Sequence, residues 1–214
     1  MKRTDWIIAG FLAVLILAVL SGFLIFWLQS QASSTGLAQQ PIDERGSSVT
    51  SGITADDALV IANSAATQWQ PDAQLVSASA TIIRFEELAD IYSGRTNWNM
   101  IYYSFNSSSL ATFTVTQNGA SLLNSKSIDI VPLTIDQSIL TLNSGQAMTM
   151  AMANGGEVLF VGQAQRVAHL SLERKPEGRT EWQIAVQNET AGLNGIFRMD
   201  AATGELIEKS GLEN

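Results

Sequence analysis

The chain has 214 residues, with 12 basic and 20 acidic side chains, a formal net charge of −8, and no cysteine. Disulfide frames and thiolate metal sites are therefore excluded, and an acidic surface of this kind repels nucleic acid and anionic lipid head groups. Acidity alone selects no function.

From Trp6 to Leu28 the chain runs 23 residues without a charge. At 1.5 Å rise this is roughly 34 Å of helix, enough to span a bilayer with slight tilt. Lys2 and Arg3 precede the run and the next basic residue is Arg45, so the positive-inside bias predicts residues 1–5 in the cytoplasm, a span over 6–28 and everything beyond it outside the membrane. Trp6 and Trp27 fall at the two ends, where indoles sit at head-group level. The competing reading is a cleaved signal peptide, since Ser30-Gln31-Ala32 has small residues at the positions a peptidase reads. It ranks second, because a signal core is about 7 to 15 residues. A pilin-like N-terminus is set aside for want of a glutamate inside the run.

Residues 29–52 are rich in Ser, Gln, Thr and Gly and poor in large apolar side chains. Such a segment reads as a flexible tether, with a mean span of roughly 25 to 30 Å. The part beyond the span carries 10 basic against 19 acidic residues.

The next stretch opens with a helix: Thr54 as cap, Asp56 and Asp57 in its first turn, and Ala58, Ala62, Ala65 and Trp69 along one face, stopped by Pro71. Strands are expected at 75–85, 98–105 and 110–116, with a hairpin turn at Asn118-Gly119. Residues 124–143 read as an extended crossing. A second helix is expected from a cap at Ser144 through Ala153, ended by Asn154-Gly155-Gly156. Strands at 158–163, 166–172, 182–187 and 195–200 follow, with Trp182, Ile184 and Val186 alternating toward one buried face.

These elements repeat. Gly94-Arg95-Thr96-Asn97-Trp98 recurs as Gly178-Arg179-Thr180-Glu181-Trp182, and the offset of 84 also pairs Phe113 with Phe197, Val115 with Met199 and Leu122 with Leu206. Upstream the offset is 89, aligning Asp57-Ala58 with Gln146-Ala147, so the first copy has five extra residues before its Gly-Arg-Thr turn. The copies are bounded at 53–123 and 144–208, with a tail at 209–214. Trp98 and Trp182 are expected at equivalent structural positions in their cores.

Residues 53–62, Ile-Thr-Ala-Asp-Asp-Ala-Leu-Val-Ile-Ala, resemble the opening helix of PepSY domains. Trp182-Gln183-Ile184-Ala185-Val186 followed by Phe197-Arg198-Met199-Asp200-Ala201-Ala202-Thr203-Gly204-Glu205-Leu206 is similar to their strand-turn-strand ending. The first copy departs at its turn, Thr116-Gln117-Asn118-Gly119-Ala120-Ser121, and the second in its short helix. The resemblance implies two repeated helix-plus-antiparallel-sheet units, and with the N-terminal transmembrane helix read from residues 6–28 the expected fold class is α+β. It further implies an extracytoplasmic module that binds proteins and, in some relatives, inhibits or escorts peptidases.

No catalytic constellation is legible. His169 is the single histidine, no cysteine nucleophile or phosphate loop exists, and no serine has a nucleophile-elbow setting. A strand histidine facing solvent is the plain reading of His169. Met148, Met150 and Met152 are thioethers that strand spacing would align for copper(I), whereas helical spacing turns Met150 away and makes the other two core fillers. The helical reading is preferred, so neither metal nor cofactor is expected. Glu86, Glu87 and Asp90 lie in the extra residues of the first copy, near Tyr92 and Tyr102. Carboxylates flanked by aromatics fit a partner-binding face, although such a cluster is commonly just a solvated loop. Asn106-Ser107-Ser108 and Asn188-Glu189-Thr190 match the glycosylation pattern. The expectation is a non-enzymatic membrane-anchored binding module acting on an extracytoplasmic or membrane protein, such as a peptidase. The alternatives are a small-ligand or metal sensor and a structural envelope component.

Overall fold

A computed structural model of the protein describes residues 52–83, 92–160, 166–188 and 192–211. The expected span at 6–28, the residues before it and the tether up to Ser51 lie outside the described residues. Among the described residues no helix is long and apolar enough to cross a membrane.

Helix α1 (Ala55–Trp69) begins where the sequence places it, with the Thr54 hydroxyl accepting from the Asp57 N–H at 3.3 Å. Its inward residues are Ala55, Ala58, Leu59, Ala62 and Ala66, and this nearly all-alanine stripe lets the helix lie close on the sheet. Strands β1 (Gln74–Ile83), β2 (Trp98–Ser104), β3 (Ser109–Thr116) and β4 (Gly119–Ser127) follow. After a 3-10 turn at Gln137–Ile139 come α2 (Ser144–Ala153), a second 3-10 turn at Gly156–Phe160, and then β5 (Arg166–Arg174), β6 (Thr180–Asn188), β7 (Leu193–Asp200) and β8 (Leu206–Ser210).

All eight strands form one antiparallel sheet in the order β4-β3-β2-β1-β5-β6-β7-β8. This corrects the expected fold class. The described residues form mostly a single eight-stranded sheet with two α-helices, not a pair of helix-plus-sheet units. The joint is β1 against β5, registered from Ser77↔Glu173 to Ile83↔Val167. Alternation had marked each strand as half-buried, but it carries no information about which strand is its neighbour. Inward side chains from both helices and strands β1, β2, β3, β5, β6 and β7 belong to one hydrophobic cluster.

At the middle of that core the indoles of Trp98 and Trp182 meet edge to face, with centroids 6.0 Å apart and planes at 69°. Both are buried. Trp98 Nε1 donates to the Ile53 carbonyl at 2.9 Å and Trp182 Nε1 to the Leu142 carbonyl at 2.8 Å. Ile53 and Leu142 each stand just before a helix cap, Thr54 and Asn143. Ser144 holds the two halves together: its hydroxyl accepts from the Ala55 N–H at 3.0 Å and donates to the Gly94 carbonyl at 3.1 Å. Gly94 has φ +59°, and a Cβ there would fall 2.6 Å from Gly145 N.

Smaller expectations also change. Asn143, not Ser144, caps α2, through a reciprocal pair with Gln146. The strand expected at 158–163 is a 3-10 turn as far as Phe160, and 161–165 lie outside the described residues. Strand β4 continues to Ser127, past the expected start of the crossing at Asn124; β4 follows the expected hairpin turn and β8 the expected strand-turn-strand ending, although the sequence marks the bounds of neither. Between Ile128 and Ile135 the chain crosses one end of the sheet, from the Ser108 carbonyl to the Leu75 carbonyl.

Candidate functional site

Of the residues expected to bind a partner, Glu86, Glu87 and Asp90 lie outside the described residues. Tyr102 is a core residue, and this corrects its assignment to an exposed face. Its hydroxyl donates to Asn63 Oδ1 at 2.7 Å, its ring stands edge-on to Phe113, and burial raises its pKa. The reason is strand parity, since Trp98, Met100 and Tyr102 all face the helices. Tyr92 is half-buried and donates to Glu157 Oε1; that bond, followed by desolvation, raises its pKa. It therefore joins its segment to the turn after α2, and it does not converge with Tyr102.

Met148, Met150 and Met152 lie on α2, with Met148 and Met152 buried and Met150 half-buried near Gly204. Helical geometry thus turns Met150 away from the other two, and no group of three or more His, Asp or Glu side chains fit to hold a metal occurs among the described residues. Asn188 is buried with its amide on the Leu159 carbonyl at 3.0 Å, so the second glycosylation tripeptide does not present its asparagine.

A cleft of about 200 Å³ lies between the start of α1 and residues 137–143, lined by Asp56, Leu59, Gln137, Leu140, Thr141, Leu142 and Asn143. Desolvation, and then Asp57, raise the Asp56 pKa. One carboxylate with no nucleophile or base beside it supplies no general acid–base pair, and the volume is below the usual range for ligand pockets.

The largest feature is the sheet face turned away from the helices. Ser79 and Thr81 on β1, Asn99 on β2, Thr112 and Thr114 on β3, and His169 on β5 occupy the positions that alternate with the core. Thr81 Oγ1 and His169 Nδ1 share a hydrogen bond at 3.0 Å, and the Thr114 hydroxyl donates to Asn99 Oδ1 at 3.1 Å. Toward β8 the same face becomes ionic. Arg198 donates through Nε and Nη2 to Glu181 Oε2, at 3.0 and 2.7 Å, and through Nη1 to Glu208 Oε2 at 2.7 Å. The hydrogen bond with Glu181, then that with Glu208, raises the Arg198 pKa. Glu181 is buried; its Oε1 makes no hydrogen bond and has the Arg179 guanidinium at 3.8 Å. The arrangement can accept and donate hydrogen bonds over a broad surface, but it aligns no groups for bond making. Sequence reasoning missed this face because its residues are scattered over strands whose order was not legible.

No family model and no curated protein matches the chain. Among solved structures it is similar to a candidate lipoprotein (CD1622) from Clostridium difficile 630, at 15% identity and a TM-score of 0.48, over 78% of this chain and 95% of that one.

Proposed function

We propose that this protein is a non-enzymatic binding module, anchored in a cell membrane by residues 6–28 and displayed extracytoplasmically, where it engages another envelope protein such as a peptidase through the open face of its sheet. The observation that carries the reading is the breadth of that face. Seven inter-strand spacings give roughly 34 Å and seven residues of strand roughly 24 Å, an outline of about 800 Å² within which Tyr103 and Glu181 are themselves buried. That is one partner's share of a standard protein–protein interface. Its hydroxyl and amide side chains keep it soluble when unoccupied and hydrogen-bonding when covered. The anchor and the tether, read from the sequence, would raise the effective concentration of a weak binder toward membrane-bound partners.

The test is photocrosslinking in cells, with the full chain carrying a photoreactive side chain at Asn99, Thr114 or Gln183 on the open face, or at Val60 on the exposed side of α1. Discrete adducts to one other envelope protein from the three sheet positions, and not from Val60, are the expected outcome. Adducts from Val60 alone, or none from the sheet, would discard the reading.

A further inference from the structure

The two helix starts are equivalent in the repeat, Asp56 of α1 answering to Gly145 of α2 at the offset of 89, but they are covered differently. The chain leading into β2 lies on Gly145: a Cβ at Gly145 would fall 3.0 Å from the Ser93 carbonyl oxygen, and one at Gly94 2.6 Å from Gly145 N. The connection leading into β6 is five residues shorter and closes on itself, the Lys175 N–H donating to the Arg179 carbonyl at 2.7 Å. Gly178, the counterpart of Gly94, has no atom beyond its chain neighbours within 4 Å of where a Cβ would stand. Among the described residues, then, that cover has no counterpart over the start of α1.

Asp56 opens instead on the cleft between α1 and residues 137–143, whose apolar walls are Leu59, Leu140 and Leu142. The other polar side chains of the cleft are already engaged. Gln137 and Asn63 exchange hydrogen bonds at 2.8 and 3.2 Å, the Thr141 hydroxyl donates to the Ala202 carbonyl at 2.6 Å, and Asn143 Oδ1 accepts from the Gln146 N–H at 2.8 Å. Asp56 differs: among the described residues its carboxylate has neither a hydrogen-bond donor nor a basic partner, while the neighbouring Asp57 accepts from the Thr54 hydroxyl at 2.9 Å. Desolvation and the Asp57 charge, which raise the Asp56 pKa, are both relieved by a cation brought beside it.

We infer that this cleft binds a small organic cation, an ammonium group on a free aliphatic chain of about four to six carbons. The ammonium donates to the Asp56 carboxylate, and the chain lies along Leu59, Leu140 and Leu142 as a lysine stem lies on apolar surface. A bare metal ion is selected against, because one carboxylate falls short of the several oxygens such an ion needs and leaves the three leucines without a partner. A volume of about 200 Å³ suits so short a chain, and the net charge of −8 draws cations while repelling anions. The cleft is on the helix side of the sheet, so the inference is independent of the open face.

The test uses the full chain in lipid nanodiscs, with leucine and valine methyl groups isotope-labelled, titrated with n-butylammonium chloride and read by NMR. The Leu59, Leu140 and Leu142 methyl signals should shift together and saturate, whereas that of the exposed Val158 should not. Asp56→Asn should raise the Kd at least about tenfold with the methyl spectrum of the free protein otherwise unchanged, and Asp57→Asn by clearly less. Butan-1-ol, of the same length but uncharged, should not saturate the site. No saturable shift, a shift that Val158 shares, equal binding of butan-1-ol or a Kd unmoved by D56N would each overturn the inference. Tighter binding of N-acetyl-lysine methylamide than of n-butylammonium would overturn it too, by giving the cleft to a protein side chain in place of a free amine.

Discussion

Replacing the two core tryptophans by phenylalanine, one at a time, should have unequal costs although both are 1% exposed. Each replacement removes one ring and one indole N–H, so the loss of packing is similar at the two sites. The abandoned carbonyls differ. Ile53 O keeps a second donor, the Thr96 N–H at 3.0 Å, whereas no other donor among the described residues reaches Leu142 O. Leu142 is half-buried, so leaving its carbonyl unpaired costs toward the lower end of the about 1 to 3 kcal/mol of a buried acceptor, while losing one bond of two at a satisfied carbonyl costs less than about 1. Trp182→Phe should therefore destabilise more than Trp98→Phe by about 1 kcal/mol. Alanine at either position should cost about 3 to 5 kcal/mol, and the double alanine variant should fall short of additivity by about 0.5 to 1.5, the worth of an edge-to-face pair. Urea titration of the full chain in mild detergent, followed by near-ultraviolet dichroism, measures all five. Equal costs for the two phenylalanine variants, or a cheaper one at Trp182, would refute the hydrogen-bond argument.

Ser144→Ala should cost about 1 to 3 kcal/mol in the same titration, because it strips partners from the Ala55 N–H and the Gly94 carbonyl together. Gly94→Ala should be worse than Gly178→Ala: both glycines have positive φ, but only at Gly94 does a Cβ strike backbone, so the second substitution carries just the left-handed penalty of about 1 to 2 kcal/mol. Stability should also fall on acidification through Asp72. Hydrogen bonds from the Asn106 N–H, chiefly, and the Ser104 hydroxyl hold its carboxyl below its usual pKa, so its contribution is full above roughly pH 4 and is lost as the pH drops through the folded value. Asp72→Asn should flatten that limb of the pH–stability curve. A reporter fused after Asn214 should be accessible from outside the cell membrane if Lys2 and Arg3 orient the chain, and an internal reporter would reverse the topology.

The parts of this fold legible in the sequence are those set by local chemistry. Thr54 with Asp56 and Asp57 marks a helix start by capping, and Trp182, Ile184 and Val186 mark a strand by parity, and the structure has both where these residues stand. Edge strands β4 and β8 are announced only by the turns before them, at Asn118-Gly119 and Thr203-Gly204, and not by their own residues. A strand exposed on both faces has no reason to alternate, and Ser-Leu-Leu-Asn-Ser reads as loop until β3 is known to lie beside it. The aromatic cluster proposed around Tyr102 failed for a related reason. Proximity in sequence to Tyr92 was taken as proximity on a surface, whereas the parity of β2 carries Tyr102 inward to Asn63.

The offsets of 84 and 89 were visible as sequence, but their structural meaning lies in how the caps and strands meet. Trp98 reaches the residue before the first cap, and Trp182 the residue before the second. Strands β1 and β5 would each present an open edge without the other. Their pairing removes both edges and makes the sheet continuous, with the indoles in contact beneath it and Ser144 clasping the start of α1. The requirement to cover an edge is discharged at the centre and persists at the rim, where β8 meets it with shortness and charge, and β4 with Lys126 and the bulge at Leu123.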